Sequence, residues 1–411
     1  MLYTSVDLGS HSIKIVVSEK IGDKFYVLAS TKVRSLGIKK GIIKDKSLVL
    51  QSLQTAISNI NQDLGIDIKK VLLNFPLFYV NTSIETSEID VSGIVTGEDI
   101  QEVINKTVKE NIPKNEEVVY LEPIVFGIDD DMQVVDPKGL TTKGLEVRCA
   151  VSTIEKDFLY EYLEVFNEAG LEVVDITYGA VSDYFENSNR DINKKLGVLV
   201  NIGYGKSEFA IFNKGIMLKG SILPIGSNKI DKDISYIYKI DKKTAISLKE
   251  NLAIASYKQA DKNDIMEVVN NSGEKISINQ FEISQIVEAR LREIIKSVKN
   301  EINNLTNREI SYIIVTGGIT NLMGFPYIID EEFNCEKIIT NITTLGVRSN
   351  IYSASIGFIK YFDYKMKFRN IDYSMFNEED RNELTAKKKK VSGKENLITK
   401  FSTYLKNWGG L

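Results

Sequence analysis

Asp7-Leu-Gly-Ser-His-Ser-Ile-Lys14 lies between two predicted strands, at residues 3–8 and 13–18. The turn places a carboxylate at the end of a strand, followed by small residues whose backbone N–H groups can face an anion. Lys14 can neutralise phosphate oxygens, and Asp7 can hold Mg²⁺ through water. A turn of this kind between strands is more often a plain hairpin, so it predicts a phosphate site only together with other signals.

Two further glycine turns follow predicted strands. Asn201-Ile-Gly-Tyr-Gly-Lys-Ser207 separates strands at 197–201 and 208–213, and it would be a second phosphate loop. Val315-Thr-Gly-Gly-Ile-Thr-Asn-Leu-Met-Gly324 follows a strand at 311–316, and its paired glycines would let a flat ring approach the backbone. Alone, the turn at Asn201 is more often a plain hairpin, and the turn at Gly317 can be a tight strand-to-helix turn. The turns at Asp7 and Asn201 together predict a weak internal repeat, with a strand, a glycine turn and a strand in each half.

Composition excludes several classes of protein. At 411 residues the chain is expected to hold about two to four domains. His11 is the only histidine, which argues against a histidine-based catalytic triad or a histidine-rich metal site. Cys149 and Cys335 are far apart, as is usual in a reducing compartment. No apolar run reaches the roughly 18 residues of a transmembrane helix, and the chain begins with a strand and not with a secretory signal.

The C-terminal residues predict a membrane anchor. At helical spacing, Lys394–Leu411 forms an apolar stripe that ends at Trp408, the only tryptophan, with lysines on its flanks. Residues 387–411 carry a net charge of +6, which leaves −10 on residues 1–386. A basic amphipathic helix reads as an anchor on anionic lipid, although docking on the parent domain is the alternative. The predicted membrane-binding residues are Leu397, Ile398, Lys400, Phe401, Tyr404, Leu405, Lys406 and Trp408.

The three turns, in this order, resemble the phosphate and adenosine motifs of the actin-like ATPase superfamily. Predicted helices at 179–187 and 351–361 match its two connecting helices, with small residues at their crossing points. Within the superfamily the chain most resembles the FtsA family of bacterial cell-division proteins, over essentially its whole length. The segments that carry this resemblance, besides the tail, are Gly93–Ile100, Tyr120–Pro123, Asp136–Gly139, Leu145–Val147, Leu223–Gly226, Asp231–Ile234 and Glu288–Glu293.

The resemblance implies an α/β, actin-like (ribonuclease H-like) fold of two lobes with an FtsA-type inserted subdomain. The implied segments are subdomain 1A at 1–81 and 346–364, inserted subdomain 1C at 82–168, subdomain 2A at 169–213 and 301–345, subdomain 2B at 214–300, a linker at 365–393 and the amphipathic helix at 394–411. It implies binding of ATP and Mg²⁺, with Asp7 on the metal. The implied nucleotide-binding residues are Asp7, Gly9, Ser10, His11, Ser12, Lys14, Asn201, Gly203, Tyr204, Gly205, Lys206, Lys249, Gly317, Gly318 and Ile319.

The same resemblance implies a function at the division septum. Such a protein polymerises on the cytoplasmic face of the membrane, tethers the tubulin-like protein FtsZ through its C-terminal peptide and recruits later division proteins. Its partners are therefore FtsZ, other copies of itself, anionic lipid and division proteins, and not nucleic acid.

The chain departs from the family pattern at residues that bear on hydrolysis. Asn201 stands where relatives carry Asp, Lys206 where small hydroxyl residues are common, and Ile246 where an acid holds the ribose or adenine edge. Tyr178 aligns with the residue near the attacking water. Because an amide lacks the charge that orders Mg²⁺ and water, we expect ATP to be bound but hydrolysed slowly or not at all.

Other functions remain open at this stage. An actin-fold kinase or hydrolase would need a carboxylate base in the cleft, and none is obvious beside Tyr178 or Asn201. A pilus-assembly adaptor would share the insert and bind a membrane-protein peptide, but it needs no amphipathic tail. A chaperone of the Hsp70 type would need a larger C-terminal domain than residues 365–411 offer. A scaffold with an inactive nucleotide site is the remaining possibility.

Overall fold

The computed structural model describes residues 1–78, 80–129, 132–347 and 349–384. The helices are α1 (Lys46–Leu64), α2 (Gly97–Asn111), α3 (Lys156–Glu168), α4 (Gly179–Asn187), α5 (Asn228–Tyr238), α6 (Lys242–Asn251), α7 (Gln280–Leu305), α8 (Phe325–Glu332) and α9 (Ser353–Phe368). The strands are β1 (Leu2–Leu8), β2 (Ser12–Ile21), β3 (Lys24–Arg34), β4 (Ile38–Lys39), β5 (Ile42–Ile43), β6 (Lys70–Phe75), β7 (Val80–Asn81), β8 (Ser83–Ile94), β9 (Glu116–Ile128), β10 (Met132–Val134), β11 (Thr141–Glu155), β12 (Glu172–Tyr178), β13 (Leu196–Ile202), β14 (Ser207–Asn213), β15 (Ile216–Leu223), β16 (Ile265–Val269), β17 (Lys275–Asn279), β18 (Tyr312–Thr316) and β19 (Glu336–Ile339).

Two central sheets have the same topology. In the first lobe the strand order is β12-β6-β1-β2-β3, and in the second it is β19-β18-β13-β14-β15-β7. Each contains an antiparallel meander, β1-β2-β3 or β13-β14-β15, whose first strand pairs in parallel with the next strand outward. The repeat that the first two glycine turns predict is therefore a repeat of whole sheets. Each of these two turns lies at the end of a meander's first strand, whereas the third turn follows β18.

A separate module is inserted between β7 and β12. Its sheet has the order β10-β9-β11-β8, and α2 packs against it over a core that includes Val103, Phe126 and Val147. Thr96 opens α2 as its N-cap, because its hydroxyl accepts a hydrogen bond from the Asp99 backbone N–H at 3.2 Å and Asp99 returns a bond to the Thr96 N–H. The sequence Thr96-Gly-Glu-Asp99 therefore forms a capping box that begins this helix.

Two helices cross between the sheets, α4 and α9. A Cβ placed on Gly357 of α9 would lie 1.8 Å from the Ser182 carbonyl oxygen of α4, so only glycine permits this approach. Ala180, Ser182 and Ser355 are also small and buried at these helices. The predicted small-residue crossing is thus present, and it fixes the position of α4 under the cleft between the lobes.

Some predicted boundaries need correction. The linker predicted from residue 365 begins too early, because α9 continues to Phe368, and Met375 and Phe376 are buried with their segment hydrogen-bonded to β1. Subdomain 2B, predicted at 214–300, includes β15 and the β16–β17 hairpin beside its helices. In the part of the chain that the structure describes, no helix has the length and apolarity needed to cross a bilayer.

Candidate functional site

A cavity of ≈ 450 Å³ lies between the lobes, where the three glycine turns meet. This volume is within the range of small-molecule sites, roughly 300–1,000 Å³. All the predicted nucleotide-binding residues line it: Asp7, Gly9, Ser10, His11, Ser12, Lys14, Asn201, Gly203, Tyr204, Gly205, Lys206, Lys249, Gly317, Gly318 and Ile319. The fold therefore places the residues predicted from the sequence around one cavity.

The first loop is shaped by the pairing of β1 with β2. Asp7 is directly opposite Lys14 in the antiparallel register, and the Lys14 ammonium donates to the Asp7 carboxylate. The Gly9 N–H donates to the Ser12 carbonyl at 3.2 Å and closes the turn. The Ser10 hydroxyl accepts from the Gly41 N–H at 3.0 Å. The ion pair leaves Lys14 at the cavity wall, where a polyphosphate would compete with Asp7 for it.

The second loop faces the first. The Gly203 N–H donates to the Lys206 carbonyl at 3.0 Å, and a Cβ on Gly205 would lie only 3.8 Å from the Ser10 Cβ. The rings of His11 and Tyr204 are 4.4 Å apart, so they join the two loops directly. Burial lowers the pKa of His11, which keeps its imidazole neutral at physiological pH.

The third loop packs on the second. Gly317 has φ of +100°, and a Cβ there would lie 2.5 Å from the Ile202 carbonyl oxygen. Both the backbone angle and the contact therefore require glycine at this position. The Asn321 amide donates to the Gly318 carbonyl at 3.1 Å and stabilises the turn that follows.

The two other lysines predicted to bind nucleotide, Lys206 and Lys249, are already paired with carboxylates. The Lys206 ammonium lies 2.5 Å from Glu208 and donates to the Leu77 carbonyl at 3.1 Å. The Lys249 ammonium lies 2.5 Å from Asp231, whose side chain is fully buried. These pairs hold the cationic groups in place, but they also reduce the positive charge that each presents to the cavity.

Sequence reasoning missed carboxyl and amide groups of this cavity. Asp183, Asn74 and Glu208 line it, and none belongs to a segment that the glycine turns single out. The signal for Asp183 was available, because it lies between buried Val181 and Tyr184 on a predicted helix. A carboxylate on the buried face of a helix is uncommon unless it is paired or functional.

The position assigned to Tyr178 also needs correction. Its ring is buried against Phe75, with centroids 6.3 Å apart, and it is not among the residues that line the cavity. Gly179 and Asp183 are the α4 residues that reach the cavity wall. Asp183 accepts a hydrogen bond from the Asn201 amide at 2.8 Å. The expectation that the cleft lacks a carboxylate beside Asn201 is therefore wrong.

Electrostatics at Asp183 differ from those at the other acids. Burial raises its pKa to about 7, while hydrogen bonds from Ser353 and Asn201 oppose that rise and the charges of Asp7 and Glu208 add to it.

The predicted membrane-binding residues lie outside the described residues.

Comparisons with known proteins agree with this architecture. The family model "Cell division protein FtsA" matches residues 198–357, and the model "SHS2 domain inserted in FTSA" matches residues 79–153. The second match coincides with the module between β7 and β12. It therefore identifies the insert independently of the two lobes.

Full-length relatives carry the same name. The "Cell division protein FtsA" of Bacillus subtilis (strain 168) is 26% identical over 382 residues, which covers 91% of this chain and 87% of the relative. That of Enterococcus hirae is 24% identical over 366 residues, covering 88% and 83%. Both matches span the insert and both lobes.

Solved structures support the fold. MreB5 of Spiroplasma citri bound to ADP has a TM-score of 0.56 at 15% identity, covering 90% of this chain and 98% of that one. A PilM–PilN type IV pilus biogenesis complex has a TM-score of 0.56 at 11% identity, covering 86% and 96%. At these identities the likeness concerns the fold alone. Taken with the two family models and the full-length relatives, it shows that this chain belongs to the FtsA family, on an actin-like fold with an inserted SHS2 domain.

Proposed function

We propose that this protein binds ATP with Mg²⁺ between its lobes, polymerises, and anchors the FtsZ ring to the cytoplasmic membrane at the division septum. The observation that carries the proposal is the convergence of all the predicted nucleotide-binding residues on one cavity in a chain of the FtsA family. Recruitment of later division proteins belongs to the same proposal. It rests on family membership and on no described contact.

Nucleotide binding is supported by the chemistry of the loops. The Gly203–Gly205 turn lies across the cavity from Ser10, which suits a chain of phosphates held between two loops. Lys14 and Lys249 provide cations at its wall, and the Gly317–Gly318 turn leaves room for a flat ring. The MreB5 structures that resemble this fold are described as bound to ADP and to AMPPNP.

The carboxylates suit a magnesium ion that arrives with the nucleotide. Among the described residues, no cluster of three or more His, Cys, Asp or Glu side chains could hold a metal by itself. Magnesium usually keeps several waters and binds through one or two carboxylates together with substrate phosphates. Asp7 would serve as such a carboxylate, and the ion would neutralise phosphate charge.

Hydrolysis is expected to be slow. Glu208 is paired with Lys206 at 2.5 Å, and Asn201 stands where a carboxylate would order Mg²⁺ and water. Nucleotide would then act as a structural ligand that favours closed, polymer-competent subunits. A turnover number near 10 s⁻¹, typical of metabolic enzymes, would contradict this.

Membrane attachment is supported by the positive charge of the tail. The weak affinity expected of a single tail fits a polymer that presents many tails together. The +6 tail would be drawn to anionic lipid at about 1 kcal/mol per lysine, whereas the −10 body would be repelled. Ordering a dozen residues costs about 1–2 kcal/mol each, so one tail binds weakly. Polymerisation would present many tails together and raise their effective concentration.

Co-sedimentation with anionic vesicles tests the proposal, using the full chain and a 1–393 truncation with and without ATP–Mg²⁺. We expect the full chain to pellet with vesicles and to form nucleotide-dependent filaments by electron microscopy. Truncation or Trp408→Glu should release it, because a charge on the apolar stripe costs about 1–3 kcal/mol or more. Trp408→Phe is the matched control and should retain binding.

A soluble monomer under every condition would contradict the proposal. The second candidate, a pilus-type adaptor for a membrane-protein peptide, would then be favoured. It has one specific observation behind it, the likeness in fold to the PilM–PilN complex.

A further inference from the structure

Asp183 lies outside all three glycine loops, yet it connects two of them. Its side chain is 1% exposed and it lines the cavity from α4. The Asn201 amide of the second loop donates to one carboxyl oxygen at 2.8 Å. The Thr316 hydroxyl, at the end of the strand that leads into the third loop, lies 3.5 Å from the other oxygen. Movement of this carboxyl would therefore disturb both loops.

The acids of this cavity differ in their cation partners. Asp7 is paired with Lys14 and Glu208 with Lys206, whereas no described lysine, arginine or histidine forms an ion pair with Asp183. A buried carboxylate with only neutral donors is costly in free energy. Unlike Asp7 and Glu208, the Asp183 carboxyl thus has no cation paired with it among the described residues.

Asn201 is oriented by this carboxyl. Because its Nδ2 donates to Asp183, its Oδ1 is left as an acceptor on the other side, and a Cβ on Gly317 would lie 2.8 Å from that oxygen. The amide oxygen therefore faces the third loop and the cavity. Without Asp183, the amide could rotate and present its NH₂ group, which repels a cation.

We propose that Asp183 is the positioning residue for the divalent cation that accompanies the nucleotide: it fixes the Asn201 amide oxygen toward the cavity and supplies the negative charge that Asn201 lacks. The inference rests on the proposed binding of nucleotide. The carboxylate that it assigns to the metal site lies on helix α4 and not in one of the three glycine loops.

The experiment measures the affinity of a fluorescent ATP analogue with Mg²⁺ and with EDTA. In Asp183→Asn, we expect the enhancement by Mg²⁺ to fall about 10- to 100-fold, the range for loss of an outer partner of a metal site, and the EDTA affinity to change little. The exchange Asp183→Asn/Asn201→Asp keeps one carboxylate and one amide. It should restore most of the enhancement.

Glu186→Gln is the matched control, since Glu186 is also a buried carboxylate of α4 but pairs with Lys360 at 2.8 Å outside the cavity. It should leave the enhancement unchanged. If Asp183→Asn keeps the full Mg²⁺ enhancement while the wild type shows one, the inference is wrong and nucleotide binding stands. If the wild type binds no analogue with or without Mg²⁺, the proposed function fails and the inference fails with it. Circular dichroism verifies that each variant is folded.

Discussion

At the scale of single residues, Asp183 links the stability of the protein to pH. Its pKa rises from the ordinary value of 3.8 to about 7 because the carboxyl is buried. Between these values the folded protein holds a proton that the unfolded chain releases. The neutral carboxyl therefore makes its full contribution to the free energy of unfolding below about pH 4. This contribution is lost as pH rises toward 7. Each pKa unit between the two states is worth about 1.4 kcal/mol.

Asp183→Asn should remove this pH dependence, because an amide does not ionise. Without nucleotide, the melting temperature of the variant minus that of the wild type should increase from pH 4 to pH 8, because only the wild type loses stability over this range. The difference between the two proteins cancels the effects of other titrating groups. Thermal unfolding at a series of pH values in EDTA measures it. A difference that stays constant over this range would show that Asp183 titrates normally.

The site was predictable from sequence only where residues are adjacent in a motif. Asp7, Lys14, Gly203 and Gly317 belong to short turns whose chemistry is local, and the fold places them around one cavity. Asp183 reaches the same cavity through the packing of α4, which no local spacing encodes. Likewise, no local spacing predicts that Lys206 and Glu208 both contact Leu77, in the segment that leaves the first lobe.

At the scale of elements, the crossing of α4 and α9 positions the floor of the cleft. Ser182, whose carbonyl oxygen faces Gly357, directly precedes Asp183. Close packing of the two helices therefore also fixes the position of the Asp183 carboxyl at the floor of the cleft. Ser353 at the start of α9 adds a hydrogen bond to that carboxyl.

Gly357→Ala should force these helices apart, since the added Cβ would lie 1.8 Å from a backbone oxygen. Overpacking of this kind costs about 1–3 kcal/mol, which exceeds the gain of about 1 kcal/mol that alanine brings inside a helix. Gly179→Ala is the control on α4, where the nearest atom is 4.0 Å away, and its effect should be within about 0.5 kcal/mol. Urea unfolding measures both. Equal stabilities would mean that the crossing adjusts without strain.

Most elements of the fold followed from periodicity, and the failures have physical causes. The helix predicted at 179–187 is α4 and the strand predicted at 3–8 is β1, because their apolar pattern matches their burial. The chain after α9 is charged and has few apolar residues, which favours a linker. Its burial depends on Met375 and Phe376, which are too few to give a period but enough to anchor a segment on β1.

At the scale of the whole molecule, Lys206 connects the two lobes. It lies in the second loop, and its ammonium binds the Leu77 carbonyl where the chain leaves β6 of the first lobe for β7 of the second. Glu208 accepts from the Leu77 N–H at 3.1 Å and pairs with the same ammonium. The ammonium also lies 5.1 Å from the centre of the Phe78 ring. The Lys206–Glu208 pair therefore holds the crossover, the segment between β6 and β7 that joins the two lobes.

Lys206→Met should destabilise the protein by about 3–5 kcal/mol, because it leaves the Glu208 carboxylate, whose side chain is 12% exposed, without a cation. In Lys206→Met/Glu208→Gln no charge is stranded and the amide oxygen can still accept from Leu77, so the double variant should lose much less. Chemical unfolding of the single and double variants gives the coupling energy. Hydrogen exchange at the crossover should speed up in the single variant, since the lobes are then held together less firmly. If Lys206 instead serves mainly to bind phosphate, the single variant would keep its stability and exchange protection and would lose only affinity for nucleotide.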